Sequence, residues 1–162
     1  MTRDRYANLR RIAALDPEVD WLEIYRLSAT YEFPWDYQRA LELALFRTFA
    51  VPYIGDVLDR SGEFRERTQR RYDDTALLLA EVLDNGPDSP RGRAAIRRIN
   101  QQHGRWSIPN EYMVYVLSTF VVVPVRWIDR FGWRALHPHE REASYRYYAR
   151  LGELMGIRQV PP

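Results

Sequence analysis

The chain has 162 residues, 46% of them apolar and 28% charged, which suits one folded domain with a buried core and argues against disorder. Basic and acidic side chains nearly balance, 24 against 22, so the charge makes no case for nucleic acid. Cysteine and lysine are both absent, which excludes disulfides, thiolate nucleophiles, iron–sulfur clusters, thiolate-ligated haem, Schiff bases and lysine ligands.

Residues 1–15 read as a flexible N-terminal segment. No apolar stretch follows Met1-Thr2-Arg3-Asp4-Arg5, so no signal peptide is visible. The cysteine-free composition fits a cytoplasmic setting, with a peripheral membrane position left open. Asp16-Pro17-Glu18 places a cap and a first-turn proline, and the helix it opens carries Val19, Leu22, Ile24 and Leu27 toward Tyr31. Glu32-Phe33-Pro34-Trp35-Asp36 breaks it, because Pro34 forces Phe33 out of the helical region. A capping turn with Phe33 and Trp35 packed inside is expected there. The next helix, with Ala40, Leu41, Leu43, Ala44, Leu45 and Phe46, is apolar on most sides and is expected to lie deep.

A short helix follows Pro52 and stops at Ser61-Gly62. A longer one is expected from about Glu63 to Leu83, charged in its first half and apolar in its second. Asn85-Gly86-Pro87 stops it, and Ser89-Pro90 starts a helix that ends at His103 with Gly104 as its C-cap. The apolar run from Tyr112 to Trp127 is interrupted by Ser118, Thr119, Pro124 and Arg126. It reads as a buried helix kinked at Pro124 rather than a membrane span. Pro138-His139-Glu140 opens the last helix and Gly156 closes it. The chain therefore reads as all-α, one compact domain over 1–162, with six or seven helices and short connections.

Phosphate-cradling loops, nucleophile elbows and the HExxH pattern are missing, so chemistry falls to histidine, carboxylates, arginine or a bound cofactor. His137 and His139 flank Pro138 in a turn and are expected to be exposed. His103 differs: helical spacing puts it on one face with Ile96, Ile99 and Asn100, pointing inward or into a cleft. Read alone, it is either a buried structural histidine or a ligand. Arg71 and Thr75, four apart, share a face where a charged helix turns apolar. That pair is read either as functional or as an Arg71–Asp74 ion pair beside a threonine bonding its own backbone.

Four segments occur in a telling order: Glu32-Phe33-Pro34-Trp35-Asp36, Arg71-Tyr72-Asp73-Asp74-Thr75, Arg97-Arg98-Ile99-Asn100-Gln101-Gln102-His103 and Val116-Leu117-Ser118-Thr119-Phe120. Together they resemble the MpaB-type oxygenases, the family that includes the rubber oxygenase latex clearing protein, from about Asp16 to Ile157. The resemblance implies a globin-like all-α fold holding haem b, and oxidative cleavage by O2 of carbon–carbon double bonds in an apolar isoprenoid molecule or polymer. It implies that His103 is the axial ligand to the haem iron and that Arg71 and Thr75 line the pocket. A neutral imidazole is the usual haem ligand, an arginine suits a propionate or bound oxygen, and Asn100 or a backbone carbonyl can orient the ring. In the rubber oxygenase a lysine precedes the matching threonine and can occupy the other face of the iron. Here that position is Asp74, so the resemblance implies an open or water-filled distal side. Relatives continue beyond the position of Pro162, so the chain also reads as a short version of the fold. A second reading follows from this: a non-enzymatic helical binding module that self-associates into a homo-oligomer. A third, weaker reading is a haem-free hydrolase or metal enzyme built on His103 with carboxylates.

Overall fold

A computed structural model describes residues 4–158. Nine α-helices follow one another in these residues: α1 (Ala7–Ala14), α2 (Trp21–Arg26), α3 (Pro34–Thr48), α4 (Pro52–Ser61), α5 (Glu63–Glu66), α6 (Thr68–Asn85), α7 (Pro90–His103), α8 (Asn110–Phe131) and α9 (Pro138–Leu154). A π-helical turn, Leu27–Glu32, continues α2. No strand occurs among the described residues, as the periodicity requires.

Proline sets many of the starts. Pro34, Pro52, Pro90 and Pro138 each occupy the first turn of a helix, where the missing N–H costs nothing. The Ser89 side chain accepts from the Gly92 N–H at the head of α7. Gly62 ends α4 in the left-handed region, φ 69°, where a side chain would be strained.

The core is aromatic at its centre. Tyr25 stacks on Tyr147 at 4.4 Å and meets Tyr37 and Tyr148 edge-on at 5.6 and 5.8 Å. Its hydroxyl donates to that of Tyr148 at 3.0 Å. Burial raises the pKa of all four phenols, that of Tyr148 to about 12, so they serve as neutral packing groups. Ile12, Ile24, Phe33, Val82 and Ile128 fill the space around them. In helix pairs, α2 packs on α9, α3 on α8 and α6 on α7, and α8 bridges to α9.

Several expectations need correction. Residues 1–15, expected as a flexible segment, hold α1 in their described part, because Ile12 is fully buried against the core and anchors it. The long helix from Glu63 splits at Arg67, whose backbone (φ −142°, ψ 42°) is not helical, into α5 and α6. Together α1 and this split raise the count from seven to nine. α3 is less deep than its composition suggests: Tyr37, Ala40, Ala44 and Thr48 face inward, while Phe46 and Leu43 are 72% and 39% exposed. In the turn before it, Phe33 is fully buried but Trp35 is 61% exposed, edging onto Trp127 at 6.1 Å. α8 runs unbroken through Pro124 and is long and apolar enough to cross a membrane by length and composition. It packs along α3 and α9, with Leu117, Thr119, Val123 and Ile128 buried and Tyr115, Val122 and Phe131 exposed.

Candidate functional site

His103 is the last residue of α7 and is largely buried. A helix C-terminus ordinarily favours a charged imidazole. Here burial and then the Arg71 guanidinium push its pKa below the usual 6.5, and the Ile99 carbonyl one turn back offsets them only in part. Its Nδ1 is buried without a hydrogen bond of normal geometry. A buried ring nitrogen left unpaired is costly, and such atoms in native folds call for a ligand, a water or a function.

Arg71 reaches the site from α6. Its guanidinium donates to the Thr75 hydroxyl, and that hydroxyl donates to the Arg71 carbonyl at 2.9 Å. Thr75 thus bonds its own backbone one turn back, while still touching the arginine. The alternative Arg71–Asp74 pair does not form: Asp74 is exposed and faces Arg70 at 3.7 Å. The Arg71 guanidinium also stands 5.7 Å from the Phe64 ring, and Phe64 packs edge-on against Phe49 at 5.2 Å. Phe49 and Phe64 line a small groove of about 180 Å³ with Gly55, Leu58, Asp59 and Arg65. A wider groove of about 640 Å³ is lined by Asp4, Arg5, Asn8, Thr30, Tyr31, Glu32 and Trp133. Neither groove is lined by His103.

Asn100, expected to orient the His103 ring, does something else. Its amide donates to the Leu154 carbonyl at 3.0 Å and ties the last turn of α7 to the end of α9. The helices carrying Arg71 and His103 are joined by the short turn at Gly86–Ser89 and lie side by side, so the sequence-predicted group of Arg71, Thr75 and His103 is brought together. Among the described residues no three His, Cys, Asp or Glu side chains converge as a metal cage, so the metal-hydrolase reading finds no support in them. A haem needs only one protein ligand to its iron. An imidazole biased toward its neutral form, with no hydrogen bond of normal geometry at Nδ1 and a guanidinium beside it for an anionic group, can supply that one ligand.

The other histidines are not the exposed pair expected from their turn. His137 caps α9: its Nδ1 accepts from the His139 N–H at 3.2 Å, and the Glu140 carboxylate accepts the His137 N–H at 2.7 Å. His139 Nδ1 lies 3.1 Å from the Ile12 carbonyl and so helps to anchor α1. The pattern His-Pro-His-Glu holds a capping box with histidine in the place of serine, a signal visible in the sequence but easily overlooked.

Sequence reasoning also missed a buried ion cluster. Arg134 donates to Glu32 and to Glu140, both at 2.6 Å. Its side chain is 11% exposed and those of the two carboxylates 4% and 0%. Arg134 and Glu140 are six residues apart, but Glu32 lies 102 residues before Arg134, so no local spacing announces the cluster.

The two shifted histidines give stability a pH dependence. Burial lowers the pKa of His137 too, aided by His139 and Arg134 and opposed by Glu140. Protonating it also removes the Nδ1 acceptor from the cap. For both histidines the folded pKa lies below the unfolded 6.5, so the unfolded state takes up protons first. Stability is therefore full above 6.5 and falls as the pH drops through and below it. Thermal melts between about pH 7.5 and 5.5 should show a falling Tm. In the double variant His103→Gln/His137→Asn that slope should flatten; an unchanged slope would assign it to other groups.

Residues 37–162 match the family model described as "ER-bound oxygenase mpaB/B'/Rubber oxygenase, catalytic domain". The chain is 32% identical to "ER-bound oxygenase mpaB" of Penicillium roqueforti over 158 residues, covering 94% of this chain and 53% of that protein. It is 34% identical over 140 residues to "ER-bound oxygenase mpaB" and to "ER-bound oxygenase mpaB'" of Penicillium brevicompactum, covering 83% of this chain and 36% and 33% of those proteins. The chain thus spans between a third and about half the length of these relatives. No solved structure matches it.

Proposed function

The chain belongs to the ER-bound oxygenase mpaB and rubber oxygenase catalytic-domain family, and from that premise we propose that it works as a haem b-dependent oxygenase, or as the ligand-bearing part of one. Its substrate is an apolar isoprenoid whose carbon–carbon double bond is split by O2 into two carbonyl ends. The observation that carries this reading is His103: a largely buried imidazole at the end of α7 that faces Arg71, whose Nδ1 makes no hydrogen bond of normal geometry and which burial and Arg71 bias toward its neutral form.

In this reading His103 would hold the haem iron. A neutral imidazole can give its lone pair to iron, whereas a protonated one cannot. Arg71 pairs with a haem propionate or another anionic group, and its bond to Thr75 fixes its direction. Asn100 acts through position, holding the turn that carries His103 against α9. When bound, haem supplies the O2-binding iron and the oxidising power. Asp74 faces outward with Arg70 and offers the iron no second ligand. The relatives are named ER-bound, and an apolar isoprenoid dissolves in lipid, so we place the working protein at a membrane surface rather than free in the cytoplasm.

Product analysis tests the activity. The haem-loaded protein is incubated with a polyisoprene oligomer under ¹⁸O2, and carbonyl products are sought by mass spectrometry. Label in both carbonyl ends is expected for dioxygen cleavage. Intact oligomer, with haem bound, would refute the proposed reaction.

One observation favours a second reading, a self-associating module. Leu43 and Phe46 on α3 and Phe49 at its C-cap recur at helical spacing and are 39%, 72% and 41% exposed, a stripe that another surface would cover. A concentration-dependent dimer in size-exclusion chromatography, lost in Phe46→Ser, would support it; a clean monomer at all concentrations would remove it.

A further inference from the structure

α7 and the loop after it form the most one-sided charged stretch of the chain. From Ser89 to Asn110 there are five arginines and no aspartate or glutamate. The inward side of α7 carries Ala95, Ile96 and, near its end, His103. Arg91 and Arg93 are neutralised by Glu81 at 2.7 Å and Asp88 at 2.9 Å. Arg97, Arg98 and Arg105 are exposed and meet no carboxylate among the described residues. Arg97 and Arg98 lie in the last two turns of α7 and Arg105 in the turn just after it, so the three arginines gather at the C-terminal end of the helix.

Three acidic groups on the α6–α7 hairpin are already engaged, while Glu111, in the first turn of α8, is exposed and pairs with none of the three arginines. Asp88 also holds Arg150 at 2.6 Å, Asp74 faces Arg70, and Asp73 accepts from Gln69 at 2.8 Å. α6 and α7 form an antiparallel hairpin in which Glu81 meets Arg91. Leu77, one turn before Glu81 and 66% exposed, therefore comes alongside the second turn of α7, at the edge of the arginine face.

We infer that the outer face of α7, through Arg97, Arg98 and Arg105 with Leu77 at its edge, docks on a bilayer surface rich in anionic phospholipid headgroups. Guanidiniums bind phosphate in paired geometry, and a mobile, planar array of phosphates can meet a convex basic stripe without shape matching. An acidic protein is the poorer fit, because α7 presents no exposed aromatic anchor of the kind protein interfaces are built around. The purpose of the docking rests on the proposed function: it would set the helix bearing His103 against the phase that dissolves an apolar substrate. The binding itself needs no haem.

The test is co-sedimentation of the full chain, without haem, with vesicles of phosphatidylcholine alone or of equal parts phosphatidylcholine and phosphatidylserine. Binding is expected only to the anionic vesicles, weakening as salt rises. Each guanidinium contributes about fivefold to partitioning, so Arg97→Gln/Arg98→Gln/Arg105→Gln should lose roughly a hundredfold. These side chains are exposed, and an unchanged thermal melt confirms that the variant folds. Arg47→Gln/Arg126→Gln/Arg130→Gln removes the same charge from exposed positions on α3 and α8 and should bind as the wild type does. Equal loss in both triple variants would reduce the effect to net charge and overturn the assignment to α7. Equal binding to both vesicle types would overturn it in favour of apolar insertion. No vesicle binding, with salt-sensitive retention on immobilised polyglutamate, would assign the face to an acidic protein instead. A failure here leaves haem binding untouched, and a protein that docks without binding haem would refute the functional reading alone.

Discussion

Replacing Arg134 by methionine is expected to destabilise the fold by about 3–5 kcal/mol, the cost of leaving buried charges unpaired. Glu32 and Glu140 are 4% and 0% exposed, and Arg134 is the cation that both of them meet. Burial opposes the arginine's charge, but the two carboxylates outweigh it and raise its pKa. The guanidinium also covers the Phe33 ring at 4.7 Å and the Trp133 ring at 5.2 Å, and the methionine stem would recover part of that contact. The π-helical turn gives the loss a structural consequence, because it ends at Glu32 and aims that carboxylate inward at the cluster. Urea unfolding at neutral pH measures the cost. A loss below about 1 kcal/mol would mean that water reaches the carboxylates and the cluster is not sealed. The triple variant Glu32→Gln/Arg134→Met/Glu140→Gln should recover part of the loss, since it buries no charge. The recovery will be incomplete, because a neutral glutamine at 140 accepts the His137 N–H less strongly than the carboxylate does.

The second large effect is predicted for Gly92→Ala. A Cβ at Gly92 would stand 1.9 Å from the Gly86 carbonyl oxygen and 3.2 Å from the Pro87 Cα. Both are backbone atoms of the turn joining α6 to α7, so no side chain can swing aside. Alanine favours a helix over glycine by about 1 kcal/mol, well short of what the clash demands. A loss of about 3 kcal/mol is expected, at the upper end for overpacking. The effect reaches the site, because α6 carries Arg71 and α7 carries His103. Pushing the two helices apart should weaken the hold of Arg71 on the imidazole and let the His103 pKa rise toward 6.5, readable by NMR titration of the ring. A variant as stable as the parent, with an unmoved imidazole, would show that the turn relaxes without cost.

Much of this was legible in the residues themselves. Helix starts lay in the prolines at 34, 52, 90 and 138, where a fixed φ and a missing N–H suit a first turn, whereas Pro17 opens only a turn before α2, which starts at Trp21 with Asp20 as its cap. Arg71 with Thr75, and His103 inward on its own helix, followed from the helical repeat. What escaped was set by tertiary contact. α1 is a short helix that acquires its place through tertiary contact, the burial of Ile12 and the bond from His139 to its carbonyl, which nothing local in the sequence announces. The apolar surface of α3 suggested depth on all sides, but a helix packed mainly on α8 has one covered face, and Phe46 lies off it. Asn100 shares a face with His103, yet its amide found the Leu154 carbonyl, a partner 54 residues away. The break at Arg67 had no glycine or proline to mark it.

The central claim is that His103 is a haem ligand, and a haemin titration of the purified chain followed by absorption spectroscopy tests it most directly. The account predicts a saturable Soret band in the wild type. In His103→Ala the band should be absent or shifted to that of free haemin, and added imidazole should restore a ligated spectrum. No Soret band in the folded wild type, or one unchanged in His103→Ala, would contradict it.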